Sequence, residues 1–299
     1  MQIGFIGLGA MGALMAARLV AAGHSVRGFD LRPAARDALV AAGGEAATSA
    51  ADAARGAELF WLMVVSGEQA QAVMLGSGSA GSEPPLVDAL PQGATVIVGC
   101  TQPPAMAQAL AERLAAAGLR MLDAPVSGGV KGASSGTLTV MCSGDATVLD
   151  HARPALQAVA KHIFDCGREA GMGSTAKMIN QLLCGVHIAA AAEAMHLAER
   201  SGVALETMHE VISVSAGNSW MWGDRGPRMM QADPTVASAV DIFVKDLGIV
   251  LGQARELKAG LPLSAAAMQM FLAASGLGHG AADDSQVIRA YRAMNGMKR

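Results

Sequence analysis

Residues 2–23, QIGFIGLGAMGALMAARLVAAG, decide the fold of this chain. Gln2 to Ile6 make a short apolar strand. Gly7-Leu8-Gly9-Ala10-Met11-Gly12 follows at once, and a helical pattern then runs to Gly23. Glycines at this spacing between a strand and a helix have separate tasks: Gly7 permits the tight turn, Gly9 lets the backbone approach a pyrophosphate, and Gly12 lets helix and strand pack closely. The helix start adds unpaired N–H groups and a positive dipole end for phosphate. A glycine turn of purely structural use is the alternative, and the next strand argues against it. HSVRGFD ends in Asp30, 18 residues after Gly12, near the position of an acid that hydrogen-bonds an adenosine ribose. An acid there repels a 2′-phosphate and favours NAD over NADP, although Arg27 and Arg32 lie close by.

Working outward, the alternation continues. Residues 34–42 read as a helix, 57–65 as an apolar strand and 67–75 as a helix. Residues 76–85 are a Gly/Ser/Pro-rich loop, 95–99 a strand, and a helix follows from Pro104. Strand and helix in alternation predict a parallel, doubly wound sheet whose ligands bind beyond the strand carboxyl ends. Val64-Val65 and Cys100-Thr101 then either line the cofactor crevice or are ordinary strand ends. RMLDAPVSGGVKGA (120–133) leads a strand into Ser127-Gly128-Gly129. Consecutive N–H groups there, with the serine hydroxyl, can form a nest for a carboxylate, or the turn is a plain glycine hairpin.

After Gly173, within GREAGMGSTAKMINQ (167–181), strand-like alternation stops, and helices are expected over about 174–200, 204–213, 235–258, 263–275 and 284–294. The expected fold class is α/β: an N-terminal Rossmann-type doubly wound parallel sheet (1–166) and an all-α C-terminal domain (167–299). Lys177 lies at the junction. Asn180 and Gln181 follow at helical spacings of three and four, so a lysine and a carboxamide share one helix face. Alone, Lys177 reads equally as a solvated first-turn lysine. NSWMWGDRGPR (218–228) reads as a loop, either a site cover or an aromatic-anchored corner. Lys245, in VKDLGIVLGQA, either reaches the crevice or is solvated.

Composition narrows the classes. With 52% hydrophobic and only 3% aromatic residues, the core must be mostly Ala, Val, Leu and Met. A net charge of −3 supplies no general attraction to nucleic acid or an anionic membrane. Cys100, Cys142, Cys166 and Cys184 have no metal-ligand spacing and read as small buried residues in a reducing compartment. The N-terminus lacks a basic region ahead of its apolar run, so no signal peptide is expected and the location expected is cytoplasmic. Residues 182–198, interrupted by His187, Glu193 and His196, read as a buried helix and not a membrane span. The pairs Glu193/His196 and Glu206/His209 have di-iron spacing but lack complementary glutamates, so no metal is expected.

Four motifs in order resemble the β-hydroxyacid dehydrogenases, the 3-hydroxyisobutyrate dehydrogenase group with its tartronate semialdehyde and glyoxylate reductase relatives. GFIGLGAMGALMAARL is similar to that family's dinucleotide motif, DAPVSGGVKGA to its substrate motif, GREAGMGSTAKMINQ to its catalytic motif and VKDLGIVLGQA to its C-terminal cofactor motif. DAPVSGGVKGA, NSWMWGDRGPRM and AADDSQVIRAY look most like the L-threonate dehydrogenase branch. The resemblance implies reversible NAD-linked oxidation of a small hydroxy acid. It makes Lys177 the catalytic lysine, Ser127, Gly128 and Gly129 the carboxylate site, and Thr101 and Lys245 contacts on the nicotinamide side. Two departures stand out: Met63-Val64-Val65 and Gly99-Cys100-Thr101 differ from the family's usual strand ends. Where many members carry asparagine four residues after the lysine, this chain has Gln181, with Asn180 at three. Asn180 is favoured as the orienting amide, with Gln181 as second candidate. An imine reductase-like activity, disfavoured by Lys177, and a non-catalytic NAD sensor are the rival readings. Apolar alanine-rich helix faces in the second half suggest a homodimer or homotetramer.

Overall fold

The structure, a computed structural model, describes residues 1–76 and 85–296. Most of the expected 76–85 loop falls outside them. The chain divides into two compact units, Met1–Lys177 and Met178–Arg299.

In the first unit β1 (Gln2–Ile6), α1 (Gly12–Ala21), β2 (Ser25–Phe29), α2 (Pro33–Ala41), β3 (Glu45–Ala46), α3 (Ala50–Ala54), β4 (Leu59–Leu62), α4 (Gly67–Leu75), β5 (Thr95–Val98), α5 (Pro104–Ala116) and β6 (Arg120–Asp123) follow in order. The six strands form one parallel sheet in the order β3-β2-β1-β4-β5-β6, which reverses direction of growth between β1 and β4. β4 and β5 are buried at every position, as strands covered on both faces must be. Alternate residues serve the two faces. Leu59 and Trp61 join Met15 and Leu19 of α1 on one side. Phe60 and Leu62 join Met74 of α4 and Leu110 of α5 on the other. Each such fully buried large side chain contributes about 1.5–3 kcal/mol of transfer free energy.

A smaller sheet extends this unit. β7 (Val126–Ser127) leads through α6 (Gly129–Ser135) to β8 (Leu138–Cys142), and α7 (Ala146–Val159) leads to β9 (Ala160–Asp165). β7 pairs antiparallel with β8, and β8 pairs parallel with β9. The Ser127-Gly128-Gly129 turn therefore opens a short helix and is not a hairpin.

α8 (Met172–Arg200) begins in the first unit and continues through the second. It is long and apolar enough to cross a membrane by length and composition, yet 44% of its most apolar window is buried within the protein. The second unit adds α9 (Leu205–Ser213), α10 (Trp220–Met229), α11 (Val240–Glu256), α12 (Pro262–Ala274) and α13 (Ile288–Met294). Ile188 and Met195 of α8, Trp222 of α10, Phe243 and Leu247 of α11 and Phe271 of α12 make its core. Phe243 and Phe271 stack with ring centroids 5.1 Å apart.

Two expectations need correction. Residues 218–228, read as a loop from their glycines and proline, contain α10. Ser219 caps it by accepting from the Trp222 N–H at 3.0 Å, and Trp222 is 3% exposed. Helix 235–258 starts later, at Val240, because residues 235–239 are not helical and Ala239 forms an isolated bridge with Asp283. Of the four cysteines, all free, Cys100 and Cys142 are buried, but Cys166 and Cys184 are only partly so.

Candidate active site

Parallel pairing brings the carboxyl ends of β1, β2, β4, β5 and β6 to one edge of the sheet. The three glycines after β1 can be told apart there. Gly7 has φ +92°, and a Cβ on it would lie 2.3 Å from the Met63 carbonyl oxygen. On Gly12 a Cβ would lie 1.9 Å from the Gly7 oxygen. Both residues are glycine because the protein's own backbone fills the space. Gly9 differs, since the nearest atom to an added Cβ is Arg32 Nη2 at 4.0 Å. Space is left open at Gly9, and α1 starts three residues on, at Gly12, without a side-chain cap. The donor geometry and the open cradle fit a dinucleotide pyrophosphate.

Asp30 stands at the same edge. Its carboxylate accepts from the Leu8 N–H (2.9 Å) and the Arg32 N–H (2.9 Å), and it pairs with the Arg32 guanidinium at 3.1 Å. Burial works against its charge, but these bonds with Arg32 and Leu8 hold its carboxyl below the usual range. Arg36 donates to the Asp30 carbonyl (2.6 Å) and lies over the Phe29 ring. Leu8 points inward, 2% exposed, so only its main chain faces the loop; Ala10 is exposed and Met11 half-buried. Val64 and Thr101 are half-buried, and Val65 is exposed, its N–H donating to Gln69 Oε1 at 2.9 Å.

Ser127-Gly128-Gly129 repeats the glycine division. Gly128 (φ +126°) packs against Leu138, with a Cβ 3.1 Å from Leu138 Cδ2. Gly129 (φ +58°) meets nothing within 4 Å. Positive φ at both residues is a turn conformation that favours glycine, and it leaves the space beside Gly129 open.

Lys177 is 7% exposed, which rules out the solvated-lysine alternative. Sequence reasoning missed the residue that holds its helix. Asp123, the last residue of β6 and 0% exposed, accepts four hydrogen bonds: Ser174 Oγ (2.7 Å), Ser174 N–H (2.8 Å), Gly171 N–H (3.0 Å) and Ser143 Oγ (3.2 Å). Burial pushes its pKa up, and the bonds from Ser174, Gly171 and Ser143 oppose that. An acid ending an otherwise buried strand, just before a serine-glycine turn, was the available signal.

In the second unit another missed acid, Asp246, joins three expected residues. Gln181 Nε2 donates to Asp246 Oδ2 at 2.5 Å, and Lys245 Nζ to Asp246 Oδ1 at 2.5 Å. Asn180 Nδ2 donates to Gln181 Oε1 at 3.0 Å. Asp246 is 2% exposed, three residues beyond buried Phe243 on α11, so an acid on an apolar stripe was its signal. Residues 218–228 and the AADDSQ segment also meet. Arg225 binds Asp284 through two bonds of 2.9 and 2.7 Å, and Arg228 binds Asp283 at 2.6 Å. The ExxH histidines have other surroundings: His196 is buried beside Glu199, which pairs with Arg292, and His209 stacks on Trp222 at 5.9 Å.

Comparison with known proteins covers both units. A family model for the NAD binding domain of 6-phosphogluconate dehydrogenase matches residues 2–167. One for the NAD-binding domain of NADP-dependent 3-hydroxyisobutyrate dehydrogenase matches residues 171–291. An L-threonate dehydrogenase of Cupriavidus necator is 48% identical over 290 residues, covering 97% of this chain and 96% of the relative. A 3-hydroxyisobutyrate dehydrogenase of Pseudomonas aeruginosa is 37% identical, covering 97% and 98%. The crystal structure of a 3-hydroxyisobutyrate dehydrogenase from Salmonella typhimurium superposes with a TM-score of 0.90 at 43% identity, covering 96% and 98%.

Proposed function

Because this chain belongs to the 3-hydroxyisobutyrate dehydrogenase family and is a dehydrogenase acting on a CH–OH group, we propose that it oxidises L-threonate with NAD, using Lys177 as general acid and base. One observation carries the reading. A buried lysine lies in the same compact unit as an open Gly9 cradle and an open Gly129 nest.

NAD, when bound, supplies the acceptor for the hydride that leaves the carbinol carbon. The residues do the rest. Gly9 and the start of α1 admit the pyrophosphate, and Asp30 accepts from the ribose diol while repelling a 2′-phosphate. Ser127, Gly128 and Gly129 hold the substrate carboxylate and so fix which carbon is presented. Lys177, as the neutral amine, takes the hydroxyl proton as the C=O bond forms, and as ammonium it returns that proton in the reverse reaction. Asn180 is the orienting amide: Gln181 is engaged at both ends, donating to Asp246 and accepting from Asn180, whereas the bonds of Asn180, to Gln181 and Cys184, run through Nδ2. The L-threonate assignment rests on the identity with L-threonate dehydrogenases and on the paired 218–228 and AADDSQ segments. The 44% of the most apolar α8 window that is buried within the protein supports a core helix and not a membrane span.

A panel of L-threonate, 3-hydroxyisobutyrate and glycerate with NAD and NADP, scored by kcat/KM, tests substrate and cofactor together. L-threonate with NAD is expected to score highest; a preference for NADP would mean that Arg32 and Arg36 outweigh Asp30. Lys177→Ala is expected to lose turnover by about 10²–10⁴-fold while NAD binding survives, and near-normal turnover would remove the lysine from the mechanism.

A further inference from the structure

We propose that Asp123 is a positioning residue for this reaction: its carboxylate sets where Lys177 stands relative to the Ser127-Gly128-Gly129 nest. The inference rests on the reading of Lys177 as acid and base.

Asp123 ends β6, and the chain then runs directly through Ala124-Pro125-Val126 to Ser127. Its main chain is locked to the strand beyond, donating N–H to Ser143 O (3.0 Å) and accepting from the Ser143 N–H (2.8 Å). Its side chain turns the other way and takes hold of α8. Oδ2 accepts from the N–H groups of Gly171 and Ser174, and Oδ1 accepts from Ser174 Oγ. Ser143 Oγ, itself bonded to Asp123, accepts from the Gly173 N–H at 2.9 Å. The leading donors of α8 are thus met by side chains from β6 and from the residue after β8.

Most helices are capped by a residue next to their own start. α8 takes its cap from a residue 51 positions away in sequence. Burying a carboxylate for that purpose is costly unless it is well hydrogen-bonded and the positive helix end faces it. Here both oxygens accept, four bonds in all, and three of the donors belong to the start of α8. The fit is also close on the helix side: a Cβ on Gly173 would lie 2.4 Å from Met141 O and 2.8 Å from Asp123 O. Ser174 precedes Lys177 by three residues, so the two share a helix face, separated by about 4.5 Å along the axis. Asp123 is therefore bonded to one turn before the lysine and is covalently four residues before the nest. A shift at this joint moves the lysine against the nest, and a misplacement of about 1 Å costs on the order of 100-fold in rate.

The test compares Asp123→Asn, Ser174→Ala and Lys177→Ala, each assayed with L-threonate and NAD alongside thermal unfolding. An asparagine keeps the shape but turns an NH₂ toward donors. Asp123→Asn is expected to lose about 100-fold in kcat, with NAD affinity retained and the lysine limb of the kcat–pH profile displaced. Ser174→Ala is expected to lose about tenfold in the same direction. A lower Tm with wild-type kcat and pH profile in the folded Asp123→Asn protein would make the aspartate merely structural and overturn the proposal. If Asp123→Asn does not fold, Ser174→Ala decides, and a wild-type kcat there overturns it equally. Near-normal turnover in Lys177→Ala would instead bring down the reading beneath. An inactive Lys177→Ala beside a fully active Asp123→Asn removes the positioning role alone.

Discussion

Residues 7–12 and 218–228 carry similar punctuation, glycines among small and apolar residues, and end as different structures. In GLGAMG the first glycine is required by its positive φ of +92°, with Met63 closing the space from 56 residues away, and the third answers to its own neighbourhood in the chain: Gly12 is excluded from carrying a side chain by the Gly7 carbonyl five residues earlier. In NSWMWGDRGPR the breakers are overruled. Gly226 is pressed against the His209 ring, with a Cβ 2.6 Å from Cδ2, and Trp222 Nε1 donates to the His209 carbonyl at 3.2 Å. Pro227 comes late in α10, and the ion pairs to Asp283 and Asp284 hold the last turn. Turn chemistry governs a segment where a positive φ or a near neighbour already dictates the residue, whereas distant partners can make a helix from a segment that looks like a loop.

Substitutions can break or sharpen that contrast. The largest effect is expected from Gly12→Ala, which places a methyl inside the Gly7 carbonyl and should cost on the order of 5 kcal/mol, read as loss of the folded protein or a large fall in its denaturation midpoint. Arg225→Met comes next. It strands Asp284, which is 0% exposed, and should cost about 3–5 kcal/mol. A loss of less than about 1 kcal/mol would show that packing of Trp222, and not the ion pair, makes the helix.

A smaller effect concerns acid. Burial opposes the charge of Asp224, but Arg225 and Arg228 hold its carboxyl below the ordinary carboxylate range. A group whose folded pKa is depressed stabilises the fold above the unfolded pKa, near 3.9. That contribution is lost as pH falls through the lower folded value. Stability should therefore drop on acidification below about pH 4, and Asp224→Asn should flatten this part of a denaturation-midpoint-versus-pH curve. The smallest stability effect belongs to Gly9→Ala. Its methyl meets only open space, so Tm should stay within a few degrees of wild type, about 0.5 kcal/mol or less. NAD affinity should nonetheless fall by more than tenfold, about 1.4 kcal/mol, as measured by titration. A variant that binds NAD normally would mean that the open space is not the pyrophosphate cradle.

Much of the candidate site was proposed from local pattern alone. Gly7 to Gly12, Asp30, Ser127 to Gly129 and Lys177 stand out because a turn, a strand end or a nest demands particular residue types at fixed local spacing. The position of the second-unit residues was less legible. Asn180 and Gln181 could not be ranked from spacing, because both fall on the lysine's helix face. What distinguishes their surroundings is the bond from Gln181 to Asp246, which lies 65 residues from Gln181 in the chain.

The sequence by itself determined the doubly wound sheet, the glycine loop after β1 and the change to helices after residue 173, since hydrophobic period and turn chemistry act over a few residues. The tertiary structure decided that Lys177 is buried, that residues 218–228 contain a helix, and that two aspartates, Asp123 in the first unit and Asp246 in the second, each gather a polar cluster of their own. Those outcomes depend on which groups meet across tens of residues: a carboxylate can be buried only where the folded chain brings it enough donors.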